Sequence, residues 1–212
     1  MSGKITLLIG IAGGSGSGKT TICRKLIESL GDLANLVSCD NYYLSQSHLD
    51  EEARAQINFD HPDTIDFPLL DSHLDMLARG NAIEMPTYCF ATHSRLAETA
   101  RLSPRPITIV EGILLYANDS VRNKLDMLVF VEASNEVRLQ RRLERDVAER
   151  GRTAESVTQQ WQSTVAPMYE QFVDATKAFA HVTINTELDQ EQCDQAVQTL
   201  ADGLRGMVQG QS

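Results

Sequence analysis

The chain has few basic residues, few cysteines and no long apolar run. Its 19 Lys and Arg against 29 Asp and Glu give a net charge of -10, which argues against a general nucleic-acid or anionic-membrane surface. No stretch is long enough to cross a bilayer. The four cysteines have neither the paired spacing of a metal site nor the setting of a small secreted disulfide scaffold. We therefore expect a cytoplasmic chain with reduced thiols that binds neither nucleic acid nor membrane.

The sequence also lacks internal repeats and low-complexity tracts, apart from a polar C-terminal end. A length of 212 residues suits one α/β domain with at most a small insertion. The 42% of hydrophobic residues can build a sizeable core. We therefore expect a single domain over residues 1–212.

One glycine-rich stretch organises the chain. It fits the phosphate-binding pattern of Gly, four residues and then Gly-Lys-Ser/Thr. The apolar run Ile5–Ile11 before it predicts a buried parallel strand, and Ile22, Leu26 and Ile27 after it lie at helical spacing. A flexible Gly/Ser linker would lack both flanks. We predict a nucleoside triphosphate site at the loop and the helix start, formed by Gly13, Gly14, Ser15, Gly16, Ser17, Gly18, Lys19, Thr20 and Thr21.

The residue types of this loop suit phosphate chemistry. Glycines allow successive backbone N–H groups and the helix N-terminus to point at phosphate oxygens. Lys19 would neutralise charge between the outer phosphates, and the Thr20 hydroxyl would ligate a bridging Mg²⁺.

Two further buried strands are predicted to end in carboxylates. Asp40 follows the strand Ala34–Cys39, where it could accept the proton of an attacking hydroxyl. An Asp that caps a helix or sits in a turn is an equally open interpretation on spacing alone. Glu111 ends the strand Ile107–Gly112, where a second acid that organises Mg²⁺ belongs.

The remaining segments alternate between strands and helices. Strands are predicted over 82–90, 125–131 and 181–184, and helices over 67–79, from Asn135 onward, over 154–176 with a break near Pro167, and over 189–207. Residues 45–66 read as a long loop with one short helix. Because Pro86 would remove a ladder hydrogen bond from a central strand, we expect 82–90 to be an edge strand. Residues of about 81–105 should then form a small antiparallel excursion from the main sheet. The expected fold is a P-loop NTPase, with a mostly parallel sheet and helices on both faces.

Six arginines lie between Arg138 and Arg152. On the helix that begins at Asn135, the spacing gives Leu139, Leu143 and Val147 the apolar face, and Arg138, Arg142 and Arg145 share a different face. For Arg138 and Arg141 we favour a solvated face with salt bridges. Arg145, Arg150 and Arg152, beside a glycine hinge, predict a lid at about 145–160 that closes over a triphosphate.

Aromatic and polar residues in the middle of the chain leave two interpretations open. Phe59 and Asp60 could hold a polar ring substrate, although Asp and Pro before a helix are also ordinary turn chemistry. Tyr88, Phe90 and His93 could line an aromatic pocket, although such residues are more often packing.

Taken together and in order, five segments resemble uridine kinases of the phosphoribulokinase/uridine kinase family. Each segment is weak alone, but five in order after a phosphate loop are specific. The resemblance spans roughly residues 5–180, and it is carried by Asp40–Tyr43, Asn58–Asp63, Pro86–Arg95, Glu111–Leu114 and Arg141–Arg152.

The resemblance implies transfer of the γ-phosphoryl group of ATP or GTP to the 5′-hydroxyl of uridine or cytidine, in pyrimidine salvage, by a homotetramer. It implies Asp40 as general base, Asp60 and Arg142 as the ribose clamp, and Thr20, Asp40 and Glu111 around Mg²⁺. It also places Lys19 and the lid arginines Arg145, Arg150 and Arg152 at the phosphates. The nucleoside would contact Tyr43, Phe59, Tyr88, Phe90, His93, Ile113 and Gln160.

The chain departs from the family pattern at three points. Cys89 stands where many members have Asp, Trp161 stands where Tyr is usual, and residues 185–189 lack the usual Gly-Gly-x-Asn turn. Two other functions stay open at this point. One is the same kinase chemistry on another acceptor, as in phosphoribulokinase or pantothenate kinase. The other is a GTPase switch, since Asn123–Asp126 matches Asn-Lys-x-Asp, but this match precedes a strand instead of following one.

Overall fold

The computed structural model describes residues 5–47, 49–50, 53, 57–90 and 92–210. Its centre is a five-stranded parallel sheet in the order β2-β5-β1-β6-β7. The strands of this sheet are β1 (Leu7–Ala12), β2 (Ala34–Ser38), β5 (Ile107–Glu111), β6 (Met127–Glu132) and β7 (Val182–Asn185). The predicted parallel sheet is therefore confirmed.

Helices connect these strands. They are α1 (Lys19–Leu30), α2 (Phe67–Ala78), α3 (Asp119–Arg122), α4 (Asn135–Arg150), α5 (Ala154–Gln160), α6 (Ala166–Phe172) and α7 (Gln190–Gln209). A π-helical turn, Trp161–Val165, joins α5 to α6 just before Pro167. This turn is the predicted break in the long helix. Among the described residues, no helix has the length and apolar character needed to cross a membrane.

Strand β1 is buried on both faces, and successive side chains enter different cores. Leu7, Ile9 and Ile11 pack with the apolar faces of α1 and α7. Leu8 and Ala12 pack on the opposite side, in the core that contains α2. Helices therefore cover both faces of the sheet, as the nearly continuous apolar pattern of β1 predicts.

The predicted antiparallel excursion is a two-stranded sheet outside the main one. Its strands are β3 (Ile83–Cys89) and β4 (Ser94–Leu102), and the pairing shifts between Pro86 and Tyr88. Such a shift re-aims the side chains that follow it. Six residues of the 45–66 loop, in which the sequence predicts a short helix, lie outside the described residues: 48, 51, 52 and 54–56.

The apolar face predicted for α4 is wrong. Val147 is 46% exposed, and Leu139 and Leu143 are only half-buried. The side chains that α4 buries are Arg138, Arg142 and Asp146, at i, i+4 and i+8. The helical period is correct, but this helix turns its charged stripe inward, because the inner side faces the phosphate loop and a polar cavity instead of an apolar core.

The carboxyl ends of the parallel strands meet at one edge of the sheet. The glycine-rich loop follows β1, Asp40 follows β2 within a 3-10 turn (Cys39–Tyr42), and Glu111 ends β5. Asp126, from the Asn-Lys-x-Asp match, lies at the opposite edge, where its carboxylate accepts a hydrogen bond from the Leu8 amide at the start of β1. That match therefore cannot read a base at the phosphate loop.

Candidate active site

The phosphate loop is shaped by glycines that no other residue could replace. Gly16 and Gly18 have φ of 78° and 93°, in the left-handed region. A Cβ at Gly16 would also lie 2.2 Å from the Arg138 carbonyl oxygen. The loop therefore lies directly against the start of α4, and its curl leads into the N-terminus of α1, where backbone N–H groups favour an anion.

Lys19 is buried at the start of α1. Its ammonium donates a hydrogen bond of 2.9 Å to the Gly14 carbonyl. Burial lowers the pKa of Lys19, while Glu111 and Asp40 oppose that shift. The ammonium is thus folded over the loop, beside the two carboxylates that end β2 and β5.

Asp40 and Glu111 form a pair of neighbouring acids. The Ser38 hydroxyl donates to Glu111 at 2.5 Å and accepts from the Asp40 amide at 3.3 Å, so one serine orients both residues. Burial, and then the charge of Glu111, raise the pKa of Asp40 to about 6, against the opposing effects of Lys19, Arg150 and Arg145. A carboxylate with a raised pKa is suited to accept a proton near neutral pH.

These oxygen atoms suit Mg²⁺. Thr20, Asp40 and Glu111 line one cavity with Lys19 and the loop glycines. Within the described residues, no group of three or more His, Cys, Asp or Glu side chains could hold a metal by itself. Mg²⁺ is commonly held by one or two carboxylates together with substrate phosphates and water, so a hydroxyl and two acids beside a phosphate loop fit this ion.

A second cavity of about 770 Å³ adjoins the first. Four residues line both cavities, and Asp40 is one of them. Every residue that the resemblance assigns to the nucleoside lines this second cavity: Asp40, Tyr43, Phe59, Asp60, Tyr88, Phe90, His93, Ile113, Arg142 and Gln160. The lid arginines Arg145, Arg150 and Arg152 line it too. Residues from distant parts of the sequence therefore meet around one space.

Aromatic rings build one wall of this cavity. Phe59 stacks on His93, with ring centroids 4.5 Å apart and planes inclined by 17°. Tyr43 and Phe90 each pack against Tyr88, with ring centroids 5.4 Å and 5.3 Å apart. His93 has a φ of 48°, the single positive value found for a non-glycine residue in the described part of the chain. Such a conformation at the tip of the β3–β4 hairpin fits a residue whose position serves a site.

Polar groups complete the cavity. The Tyr88 hydroxyl oxygen is buried without a hydrogen-bond partner. Burial raises the pKa of Asp60, and the nearby Arg142 guanidinium opposes that shift. Buried polar groups of this kind are costly unless they are satisfied, and a polar ligand in the cavity would satisfy them.

Arg142 connects the two cavities. It is nearly buried on α4 and donates to the Ser15 hydroxyl of the phosphate loop and to the Gln160 side chain at the end of α5, each at 2.9 Å. Arg152 donates to the same Gln160 oxygen. Across the cavity, the Arg150 guanidinium lies 6.0 Å from the centroid of the Phe90 ring, so arginines of this segment reach towards the aromatic wall.

The solvated role expected for Arg138 is wrong. Its side chain is 1% exposed, and the guanidinium lies 3.6 Å from the Tyr169 ring centroid and 5.2 Å from that of Trp161. It also abuts Gly14, where a Cβ would lie 2.1 Å from Nη1. Arg138 therefore braces the phosphate loop from behind. Only its spacing with Arg142 and Asp146 hinted at this buried position.

Arg141 also differs from expectation. Its guanidinium donates to the Thr186 hydroxyl at 2.7 Å and to the Thr186 carbonyl at 2.8 Å, and no salt bridge is seen for it in the described residues. The Thr186 hydroxyl also donates to the Ser17 carbonyl of the phosphate loop at 2.8 Å. The atypical 185–189 segment is thus tied to both α4 and the loop.

Comparison with known proteins gives consistent relatives. The family model for the phosphoribulokinase/uridine kinase family matches residues 8–191. The chain is 46% identical over 177 residues to a uridine kinase from Chloroflexus aggregans, and the alignment covers 83% of this chain and 85% of the relative. It is 44% identical over 188 residues to a uridine kinase from Lactobacillus helveticus, and the alignment covers 87% of this chain and 89% of the relative.

Among solved structures, phosphoribulokinase from Rhodobacter spheroides has the same fold, with a TM-score of 0.65 at 14% identity over 85% of this chain and 70% of that one. The chain belongs to the phosphoribulokinase/uridine kinase family.

Proposed function

We propose that the protein is a uridine kinase that transfers the γ-phosphoryl group of ATP or GTP to the 5′-hydroxyl of uridine or cytidine, giving UMP or CMP. The relatives of 44–46% identity over most of the chain support this function. The observation that carries it is the position of Asp40, which lines both the phosphate-loop cavity and the larger aromatic cavity. An acceptor hydroxyl and a donor phosphate can meet only at such a shared wall.

The donor triphosphate occupies the loop cavity. Backbone N–H groups of Gly13 to Gly18, the α1 N-terminus and the Lys19 ammonium hold its phosphates. Thr20, Asp40 and Glu111 hold Mg²⁺, which neutralises charge on the outer phosphates when bound. When the donor binds, the Lys19 ammonium exchanges its hydrogen bond to the Gly14 carbonyl for a hydrogen bond to a phosphate oxygen.

The acceptor nucleoside occupies the aromatic cavity. Phe59 and His93 form a stacked pair beside a flat base, and His93, which can donate or accept, reads its exocyclic groups. Asp60 and Arg142 bind the ribose hydroxyls. Tyr43, Tyr88, Phe90, Ile113 and Gln160 surround the ring, and pocket size rejects a purine.

Transfer then needs positioning and charge stabilisation more than covalent chemistry. The Asp40 carboxylate accepts the proton of the 5′-hydroxyl as the oxygen attacks the γ-phosphorus, and the nucleoside diphosphate leaves. Arg145, Arg150 and Arg152 stabilise the charge on the migrating group. In this proposal residues of about 145–160 act as a lid that excludes water.

Product identification tests the proposal. The protein is incubated with MgATP and uridine, and the products are identified by phosphorus NMR and mass spectrometry. We expect uridine 5′-monophosphate and ADP in equal amounts. ATP hydrolysis without a phosphorylated nucleoside, or a phosphate on the 2′- or 3′-oxygen, would contradict the proposed acceptor.

We also propose a cytoplasmic location, a role in pyrimidine salvage and assembly as a homotetramer. All four cysteines are free thiols, three of them buried, which suits a reducing compartment. The tetramer rests on family resemblance alone. A solution mass of one or two chains, measured by light scattering, would overturn it.

A further inference from the structure

One buried carboxylate, Asp146 on α4, gathers four arginines. Its side chain is 0% exposed. Arg145 approaches it most closely, with Nη2 at 2.8 Å from Oδ1, and the other three guanidiniums lie at 3.5–3.7 Å. These four arginines are Arg142, Arg145, Arg150 and Arg152, which all line the aromatic cavity.

The sequence places them around Asp146 by two local features. Arg142 and Arg150 lie one turn before and one turn after Asp146, on the same face of α4. Gly151 then ends the helix with a φ of 64°, in the left-handed region that favours glycine. Because of this turn, the amides of Gly151 and Arg152 both donate to the Asp146 carbonyl, and the Arg152 side chain returns towards the carboxylate.

Asp146 holds its arginines unequally. Arg145 Nε donates to Oδ1 at 2.8 Å, and Nη2 of the same guanidinium lies 2.8 Å from that oxygen as a close ion pair. Arg150 and Arg152 lie beyond hydrogen-bond distance of the Asp146 carboxylate, and Oδ2 accepts no hydrogen bond from the part of the chain that the structure describes. Arg150 is also 49% exposed. Arg145 is therefore fixed to Asp146, and Arg152 is held by hydrogen bonds to Gln160 and Ser156. Arg150 is attracted by charge alone and is free to turn to another anion.

The cluster of one carboxylate and four guanidiniums carries an excess of positive charge beside the donor site, where Lys19, Asp40 and Glu111 also lie. A triphosphate would be drawn to this excess, and it would compete with Asp146 for the same guanidiniums. We propose that Asp146 is a positioning residue, which sets the geometry of the lid arginines for phosphoryl transfer while it opposes donor binding. The inference rests on the proposed kinase function, and Asp146 itself touches neither substrate.

The two effects separate in Asp146→Asn. The substitution keeps the size of the side chain and removes its charge. We expect kcat for uridine phosphorylation to fall tenfold or more, because the arginines lose their fixed geometry. The dissociation constant for MgATP, measured by calorimetry, should decrease, because a competing anion is gone. A residue needed only for folding would weaken binding and turnover together.

Glu144→Gln is the matched control, since Glu144 is exposed on the same helix and accepts a bond only from Gln140. It should leave both constants unchanged. Asp146→Glu retains the charge but moves it by one methylene, so it should also lower kcat, and it serves if the Asn variant does not fold. An unchanged kcat in either folded Asp146 variant, or MgATP binding in Asp146→Asn that is no tighter than in the wild type, would overturn the proposal.

The design separates this inference from the function on which it rests. A wild-type protein that binds MgATP but phosphorylates neither uridine nor cytidine would remove the proposed acceptor. The binding comparison between wild type and Asp146→Asn would still decide whether Asp146 opposes the donor.

Discussion

Helices α1 and α4 both lie beside the phosphate loop, but apart from Lys19 at the start of α1 they bury different kinds of side chain. Helix α1 buries Ile22, Leu26 and Leu30 in the core under the sheet. Helix α4 buries Arg138 and two other charged residues. Since burial of charge is costly unless it is paired or bonded, the inner face of α4 contributes little net stability and is explained by the site that it lines.

The comparison separates two meanings of burial. An apolar buried face, as on α1, holds the fold together, because it removes hydrocarbon from water. The charged buried face of α4 positions arginines around two ligand cavities. Asp40 lies where the two helices meet, since Lys19 from α1 and Arg145 and Arg150 from α4 all affect its pKa.

The largest effect should come from the apolar face. Leu26 is fully buried, so Leu26→Ala should lower the free energy of unfolding by about 3 kcal/mol, within the range for buried leucines. Urea denaturation measures this loss, and kcat of the folded protein should not change. Leu188→Ala, at an exposed leucine, is the control. If Leu26→Ala lowered kcat and left stability intact, the division between the helices would fail.

Asp40→Asn tests the point where the helices meet. The variant cannot accept the hydroxyl proton, so kcat should fall at least ~10²-fold, about 2.7 kcal/mol in barrier height, with donor binding nearly intact. Steady-state kinetics and MgATP calorimetry measure the two quantities. Asp32→Asn, at an exposed acid far from the loop, should behave as wild type. An unchanged rate would remove Asp40 from its role as base.

Arg142→Ala tests the charged face of α4. Loss of its bonds to Ser15 and Gln160 and of its charge near Asp60 should raise KM for uridine roughly tenfold, as for other hydrogen bonds to charged groups. The variant should still fold. Arg24→Ala, on the exposed side of α1, is the matched control and should change neither KM nor stability. If Arg142→Ala lowered the stability of the fold but left KM for uridine at the wild-type value, this arginine would be structural.

The smallest effect follows from the pKa of Asp40. This group must be ionised to act as a base, and its pKa is raised to about 6. The rate should therefore be constant above about pH 7 and fall tenfold for each unit below pH 6. An ordinary aspartate would keep the rate high to about pH 4. The pH dependence of kcat/KM at limiting concentrations of both substrates, which reports the pKa of the free enzyme, distinguishes them. A flat profile down to pH 5 would contradict the assignment.

The phosphate loop could be predicted from sequence because its chemistry depends on contiguous residues. Gly13 to Thr20 need only a strand before them and a helix after them, and both show in the apolar pattern. The central strands β1, β5 and β6 were likewise predictable, since most of their residues are apolar and buried.

The aromatic cavity could not be derived in this way. Its residues run from Ser15 to Gln160 and meet only through tertiary packing. Taken alone, Phe59, Tyr88 and His93 suit an ordinary core equally well, and only the order of the segments, through family resemblance, brought them together.

The inward-facing charges of α4 are the clearest failure of sequence reasoning. Hydropathy assigns a charged stripe to solvent, which is correct for most helices. Arg138 is buried because Tyr169 and Trp161, from a later part of the chain, offer their ring faces to its guanidinium. The sequence of α4 itself does not indicate that Tyr169 and Trp161 pack against Arg138.

The most direct test of the central claim is the acceptor dependence of donor cleavage. Release of nucleoside diphosphate from ATP and GTP, with Mg²⁺, is measured with uridine, cytidine, adenosine, ribulose 5-phosphate, pantothenate or no acceptor. Stimulation by uridine and cytidine alone is the predicted result. Equal stimulation by adenosine or by ribulose 5-phosphate, or slow release that no acceptor stimulates, would contradict a pyrimidine nucleoside kinase.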